Sequence, residues 1–366
     1  MGIKIILLII FFAVMAAVGI YSRRHVTSVD GFVLGGRSVG PWLTAFAYGT
    51  SYFSAVVFVG YAGQFGWKYG IASTWIGIGN ALIGSLLAWV VLGRRTKVMT
   101  QHLGSRTMPD FFGERYKSKS LKITASVIVF VFLIPYTASV YNGLSRLFAM
   151  AFNIPYTWCV VTMAAFTALY VILGGYMATA INDFIQGIIM LIGIVAVIAA
   201  VLNGQGGFMN AIAEMAKIPS DVPLTQGQPG AFTSFFGPDP VNLLGVVLLT
   251  SLGTWGLPQM IGKFYAIKDE KSISTGTIIS TIFAIIISGG CYFLGGFGRL
   301  FDSPEIYDKA GGAVVYDSII PHMLSMLPDL LIGVVVVLVL SASMSTLSSL
   351  VLTSSSTLTL DLLKDN

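Results

Sequence analysis

The sequence predicts an all-α protein that crosses a membrane many times. Only 10% of its 366 residues are charged, against roughly 25% in an ordinary soluble domain. Mean hydropathy is +0.83. The apolar residues gather into nine runs, near 3–21, 40–65, 70–92, 121–152, 157–176, 182–202, 241–264, 274–298 and 328–360. Each approaches or exceeds the ~20 residues an α-helix needs to span the hydrocarbon core.

Charge placement orients these runs. Of the 21 lysines and arginines, 15 fall on alternate connecting segments that share one side, and six lie elsewhere. The positive-inside rule then predicts a multi-pass protein of the plasma (cytoplasmic) membrane, N-terminus outside and C-terminus inside. Topology accounts for the net charge of +5, so the lipid bilayer is an expected partner and nucleic acid is not. Arg23 and Arg24 follow the first run rather than lead it, which predicts an uncleaved anchor and not a signal peptide. Cys159 and Cys291 lie inside runs, where a thiol serves as a small apolar side chain.

A connector ending in Leu34-Gly35-Gly36-Arg37-Ser38 precedes the second run, which Pro41 opens. Small and polar residues, Tyr48-Gly49-Thr50-Ser51-Tyr52-Phe53-Ser54, interrupt that run near its middle. Two readings compete there: a helix break whose freed carbonyls suit a small cation, or a continuous helix using Gly49 and Ser54 for close packing. Residues 93–122 form a basic loop containing Met108-Pro109-Asp110-Phe111-Phe112. Between the fifth and sixth runs, Gly174-Gly175-Tyr176 leads to Asn182-Asp183, where Asp183 suits either a helix cap or an ion path.

After a Gly- and Pro-rich loop, 203–240, the seventh run carries Thr250-Ser251-Leu252-Gly253-Thr254-Trp255-Gly256-Leu257-Pro258-Gln259. Two interrupted spans, each opening a series of helices, are the sequence signature of an inverted-repeat transporter with its site at mid-membrane. The loop 299–327 holds carboxylates and His322 in no spacing that matches a metal site. In the last run, ten almost wholly aliphatic residues are followed by 17, residues 341–357, of which 11 carry a hydroxyl. So many hydroxyls call for a wet or ion-bearing interior rather than lipid.

The chain contains no His-Glu-x-x-His, Gly-x-Ser-x-Gly or phosphate-loop motif. His25, His102 and His322 all fall between runs. No enzyme activity is expected.

Five of these segments, in order, resemble the sodium:solute symporter family: Leu34 to Ser38, Met108 to Phe112, Gly174-Gly175-Tyr176 through Asn182-Asp183 and Gln186, Gly256 to Gln259, and Met344-Ser345-Thr346-Leu347-Ser348. The resemblance implies a five-plus-five inverted-repeat, LeuT-like fold preceded by one extra helix. Residues 1–39 would be that helix and its connector, 40–202 the first repeat, 203–240 an outer loop and 241–366 a second repeat of three helices. Two core helices of the family pattern would be missing, so the sequence would be a fragment or a shortened transporter.

The same resemblance implies sodium-coupled import of a small organic solute, with sodium as the coupling ion and neither a cofactor nor another metal. Sodium would be held by the carbonyls of Thr50, Phe53 and Ala342 and the hydroxyls of Ser345 and Thr346. Asp183 matches a family aspartate near the inner sodium exit. The solute would sit between the second, third and seventh runs, against Tyr48, Ser54, Thr254, Trp255 and Gln259. Tyr52 stands where the family's proline symporters carry an aspartate, and the Lys68-Tyr69-Gly70 turn resembles the pantothenate branch; pantothenate, an amino acid such as proline, and related carboxylates all stay open. Rival classes are a membrane sensor or receptor, a channel or structural subunit, or an inactive fragment keeping the fold. Saturable, sodium-dependent uptake separates the transporter from all of them.

Overall fold

The computed structural model describes residues 2–152, 154–308 and 312–363; Lys309 and Lys364 of the charge pattern lie outside them. Nine helices carry the architecture among the described residues. They are α1 (Gly2–Ser22), α2 (Pro41–Tyr52), α3 (Val56–Leu103), α4 (Lys119–Phe152), α5 (Tyr156–Gly204), α6 (Pro240–Leu252), α7 (Pro258–Ala266), α8 (Glu270–Gly295) and α9 (Asp329–Ser356). Six are long and apolar enough to cross a bilayer, and α6 with α7, bent by 53° at their junction, makes a seventh. β-structure is limited, among the described residues, to two isolated bridges.

Two of these helices double back on themselves. α3 has 48 residues and α5 has 49; straight, each would run about 70 Å, more than twice the ~30 Å hydrocarbon core. Each turns at a glycine. Gly70 (φ 61°, ψ −142°) and Gly175 (φ 52°, ψ −142°) take backbone angles that a side chain disfavours. A Cβ at Gly70 would also lie 2.2 Å from the Phe232 carbonyl oxygen, and one at Gly175 2.6 Å from that of Phe32. Both positions therefore exclude any other residue. With these turns counted, all nine apolar runs of the sequence have helical counterparts.

α9 is the centre of the bundle. The most apolar stretch of its span is 78% buried inside the protein, against 17% for α1 and for α4, and most of its hydroxyls are buried among other helices. α1, α4 and α5 pack around it, and α8 lies against α2 and α3. Several hydroxyls bond back along the helix, as Ser341 to the Val337 carbonyl and Ser343 to that of Val339, which satisfies them without a ligand.

One end of the bundle is knotted by the basic segments. Gly35, Gly36 and Arg37 are successive left-handed residues (φ 57°, 66° and 55°), and the Arg37 guanidinium donates to the Ser105 carbonyl at 2.6 Å. Val39 then pairs with the end of α7: its N–H donates to Ala266 O at 3.2 Å and its carbonyl accepts from Lys268 N–H at 2.9 Å. Thr107 caps the Met108–Tyr116 helix and also donates to Asp361 at 2.7 Å. Arg106 is ion-paired with Asp30, and Lys122 with Asp110 at 3.0 Å. Asp269 caps α8 by accepting the Ser272 N–H at 2.8 Å, which holds its carboxyl below its ordinary value. The opposite end is covered by loop 203–240, whose Phe232 packs with Leu202, Met215 and Phe297.

Candidate functional site

The interruption in the second run is a break. α2 ends at Tyr52, Phe53 (φ −106°, ψ 85°) leaves helical geometry, and the chain resumes at Ala55. Phe53 N–H closes the last helical bond, onto Gly49 O at 3.2 Å. The Thr50 carbonyl is thus among those left without a helical partner. It is buried, and it faces α9: Ser345 Oγ donates to it at 3.2 Å and Thr346 Oγ1 at 3.3 Å. The same two hydroxyls lie 3.2 and 3.1 Å from Ala342 O.

Four of the five expected cation ligands therefore converge, two carbonyls and two hydroxyls, all neutral and all buried. A hard cation takes such oxygens readily, because each hydroxyl can turn its proton away and present a lone pair. Phe53, the fifth, adjoins Ala342 in a small apolar pocket with Phe58 and Met190.

The second interruption is wound differently. Past Leu252 the chain makes one 3₁₀ turn, Gly253–Gly256, becomes extended at Leu257 (φ −73°, ψ 122°) and restarts at Pro258. Thr254 Oγ1 bonds to Ser251 O at 2.9 Å and Leu257 N–H to Thr254 O at 3.2 Å. Both breaks are tied to α3. Asn80 Oδ1 accepts from Thr250 Oγ1 (2.9 Å) and Ser251 Oγ (3.1 Å), Trp255 Nε1 donates to Ile83 O (3.0 Å), and Tyr48 Oη to Gly84 O (3.0 Å). Tyr52 Oη joins the two breaks directly, donating to Thr250 O at 3.0 Å.

Between the breaks lies a cavity of about 510 Å³, walled by residues of α3, α4, α6 and α8 as well as the breaks themselves. Of the five residues expected against the solute, Ser54 and Thr254 line it. Tyr48 is instead packed between Trp89 and Phe264, and Trp255 braces the break against α3. Gln259, 2% exposed, lies in a second cavity of about 50 Å³ toward the basic end, together with Tyr176, Lys263, Ser349 and Arg106.

Asp183 is not a helix cap: it sits eight residues past the Gly175 turn, inside the second half of α5. Its fully buried carboxylate faces Lys263 Nζ at 3.5 Å. Lys263, which the charge pattern assigns to a loop, is likewise buried in α7, where Nζ donates to Ser349 Oγ at 2.9 Å and lies 5.3 Å from the Tyr176 ring centre. Ser349 Oγ in turn is 2.9 Å from Ser51 Oγ on α2. Lys263 and Asn80 escaped the sequence reading. Lys263 lies four residues past Gln259, within the seventh run's last turn, and that depth was the available signal. Asn80 is a lone polar residue in an apolar run, which by itself marks nothing.

Comparisons with known proteins bear on the family and the fold. The profile described as "Sodium:solute symporter family" matches residues 32–365. Sodium/proline symporter 2 of Staphylococcus saprophyticus is 32% identical over 371 residues, covering 98% of this chain and 68% of that protein. The sodium/proline symporter of Staphylococcus aureus strain JH9 is 31% identical with the same coverage. Among solved structures, a Na+-coupled sialic acid symporter in a substrate-bound outward-open state superposes with a TM-score of 0.80 at 16% identity. That match covers 99% of this chain and 74% of the other.

Proposed function

The chain belongs to the sodium:solute symporter family, and from that membership we propose that it imports a small organic solute together with sodium by alternating access. The observation that carries the reading is the convergence of Thr50 O, Ala342 O, Ser345 Oγ and Thr346 Oγ1 across the first break. Sodium bound there, with Phe53 O as the fifth ligand, draws α2 onto α9. The solute occupies the cavity between the breaks, next to Ser54 and Thr254. The inward sodium gradient then drives release past Asp183, whose pairing with Lys263 exchanges for the passing ion.

The two cavities support a direction. The larger, about 510 Å³, lies between the breaks, and the one toward the basic end is about 50 Å³. With the N-terminus outside and the C-terminus inside, this is a state that loads from outside. The named relatives make proline the first candidate solute, ahead of pantothenate and other carboxylates. Uptake of labelled proline into proteoliposomes, with an inward sodium gradient and with potassium in its place, tests the coupling; uptake indifferent to sodium would sink it.

A further inference from the structure

We infer that the solute accepted by the cavity between the two breaks carries no net charge. This rests on the transport reading above and narrows its substrate class. None of the sixteen residues lining the cavity is acidic, basic or a histidine. An ion without an opposite charge, once closed off from water, loses its hydration and gains no partner. The charged pair Asp183 and Lys263 lies toward the other, basic-end cavity. Thr50, Ala342, Ser345 and Thr346 lie outside the cavity lining, so a cation held among them makes no direct ion pair with the solute.

What the walls offer instead is a ring of aromatic faces and a set of neutral hydrogen-bonding groups. Tyr52, Tyr61, Phe65, Tyr136 and Tyr292 supply the faces, which attract an ammonium or the C–H surface of a polyol. Gln64, Asn80, Thr250 and Thr254 supply donors and acceptors. The Tyr292 hydroxyl is fully buried at the cavity wall beside Asn80. A zwitterion, whose two charges offset each other, or an uncharged solute fits this lining. A net anion meets no opposite charge here, and a net cation meets ring faces but no carboxylate to neutralise it.

Pairs matched in size and skeleton but different in net charge test the inference: proline against prolinamide, and panthenol against pantothenate, each read as thermal stabilisation of the purified protein in sodium. The neutral member of a pair is expected to stabilise at a concentration at least tenfold lower than its charged counterpart. A charged member that acts equally or better overturns the inference, as does silence from both neutral members. The transport reading fails separately, if stabilisation is the same in potassium as in sodium. Asn80→Asp places a carboxylate in the wall and should reverse the first pair, raising the half-saturating concentration of proline and lowering that of prolinamide. Gln64→Glu, at a half-buried position, gives the same comparison should the first variant fail to fold. Neither variant favouring the cation would contradict the inference.

Discussion

The two interrupted spans look alike in sequence and behave differently in the folded protein. At the first, Phe53 leaves the helix within two residues, and the carbonyl released at Thr50 is met only by the hydroxyls of another helix. At the second, a 3₁₀ turn absorbs part of the polar groups locally, Thr254 onto Ser251 O and Leu257 N–H onto Thr254 O, while Tyr52 Oη takes the Thr250 carbonyl and Asn80 and Trp255 fasten the turn to α3. The first break leaves oxygens to spare and suits an ion. The second has fewer to spare and forms a bent, braced wall of the cavity. Whether an interruption becomes a ligand or a joint thus depends on how many of its backbone groups the local winding satisfies.

This contrast can be broken most forcefully at Lys263, which anchors the far side of the second break. Lys263→Met leaves Asp183 buried without its cation, and the thermal stability of the purified protein should fall by about 3–5 kcal/mol. Adding Asp183→Asn should restore most of it, since neither charge is then stranded. A single variant as stable as the parent would mean that the pair does not hold α7 to α5.

At the first break the effect is on the ion. Ser345→Ala removes one of two hydroxyl oxygens and should raise the half-saturating sodium concentration of uptake at least tenfold, about 1.4 kcal/mol. Uptake at saturating sodium should persist. The smallest effect belongs to the second break's brace: Trp255→Phe deletes the bond to Ile83 O at a cost of about 1 kcal/mol. It should raise the half-saturating solute concentration a few-fold while leaving that of sodium unchanged. If Trp255→Phe moved sodium affinity as far as Ser345→Ala, the two breaks would form one site rather than two.

Much of this was legible in the chain itself. The nine apolar runs, both breaks and the hydroxyl-rich character of α9 follow from composition and spacing, because a membrane allows few ways to satisfy a backbone. Side-chain direction was not legible. Tyr48, Ser54, Thr254, Trp255 and Gln259 all lie in or beside the breaks, yet a turn of 53° between α6 and α7 sends Gln259 to the opposite cavity from Thr254. Lys263 read as a loop charge because a lysine at a span's end ordinarily reaches for water; here a buried aspartate from a helix some 80 positions earlier in the chain meets it. Asn80 needed the fold, since its role exists only where α3 passes both breaks.

The central claim is a sodium site built across the first break, and it can be tested without knowing the solute. The melting temperature of the purified protein is followed as sodium replaces potassium at constant ionic strength, for the parent chain and for Thr346→Ala. The parent should be stabilised saturably by sodium and not by potassium, and Thr346→Ala should need at least tenfold more sodium for the same shift. Identical curves in sodium and potassium, or a Thr346→Ala variant that titrates like the parent, would contradict the account.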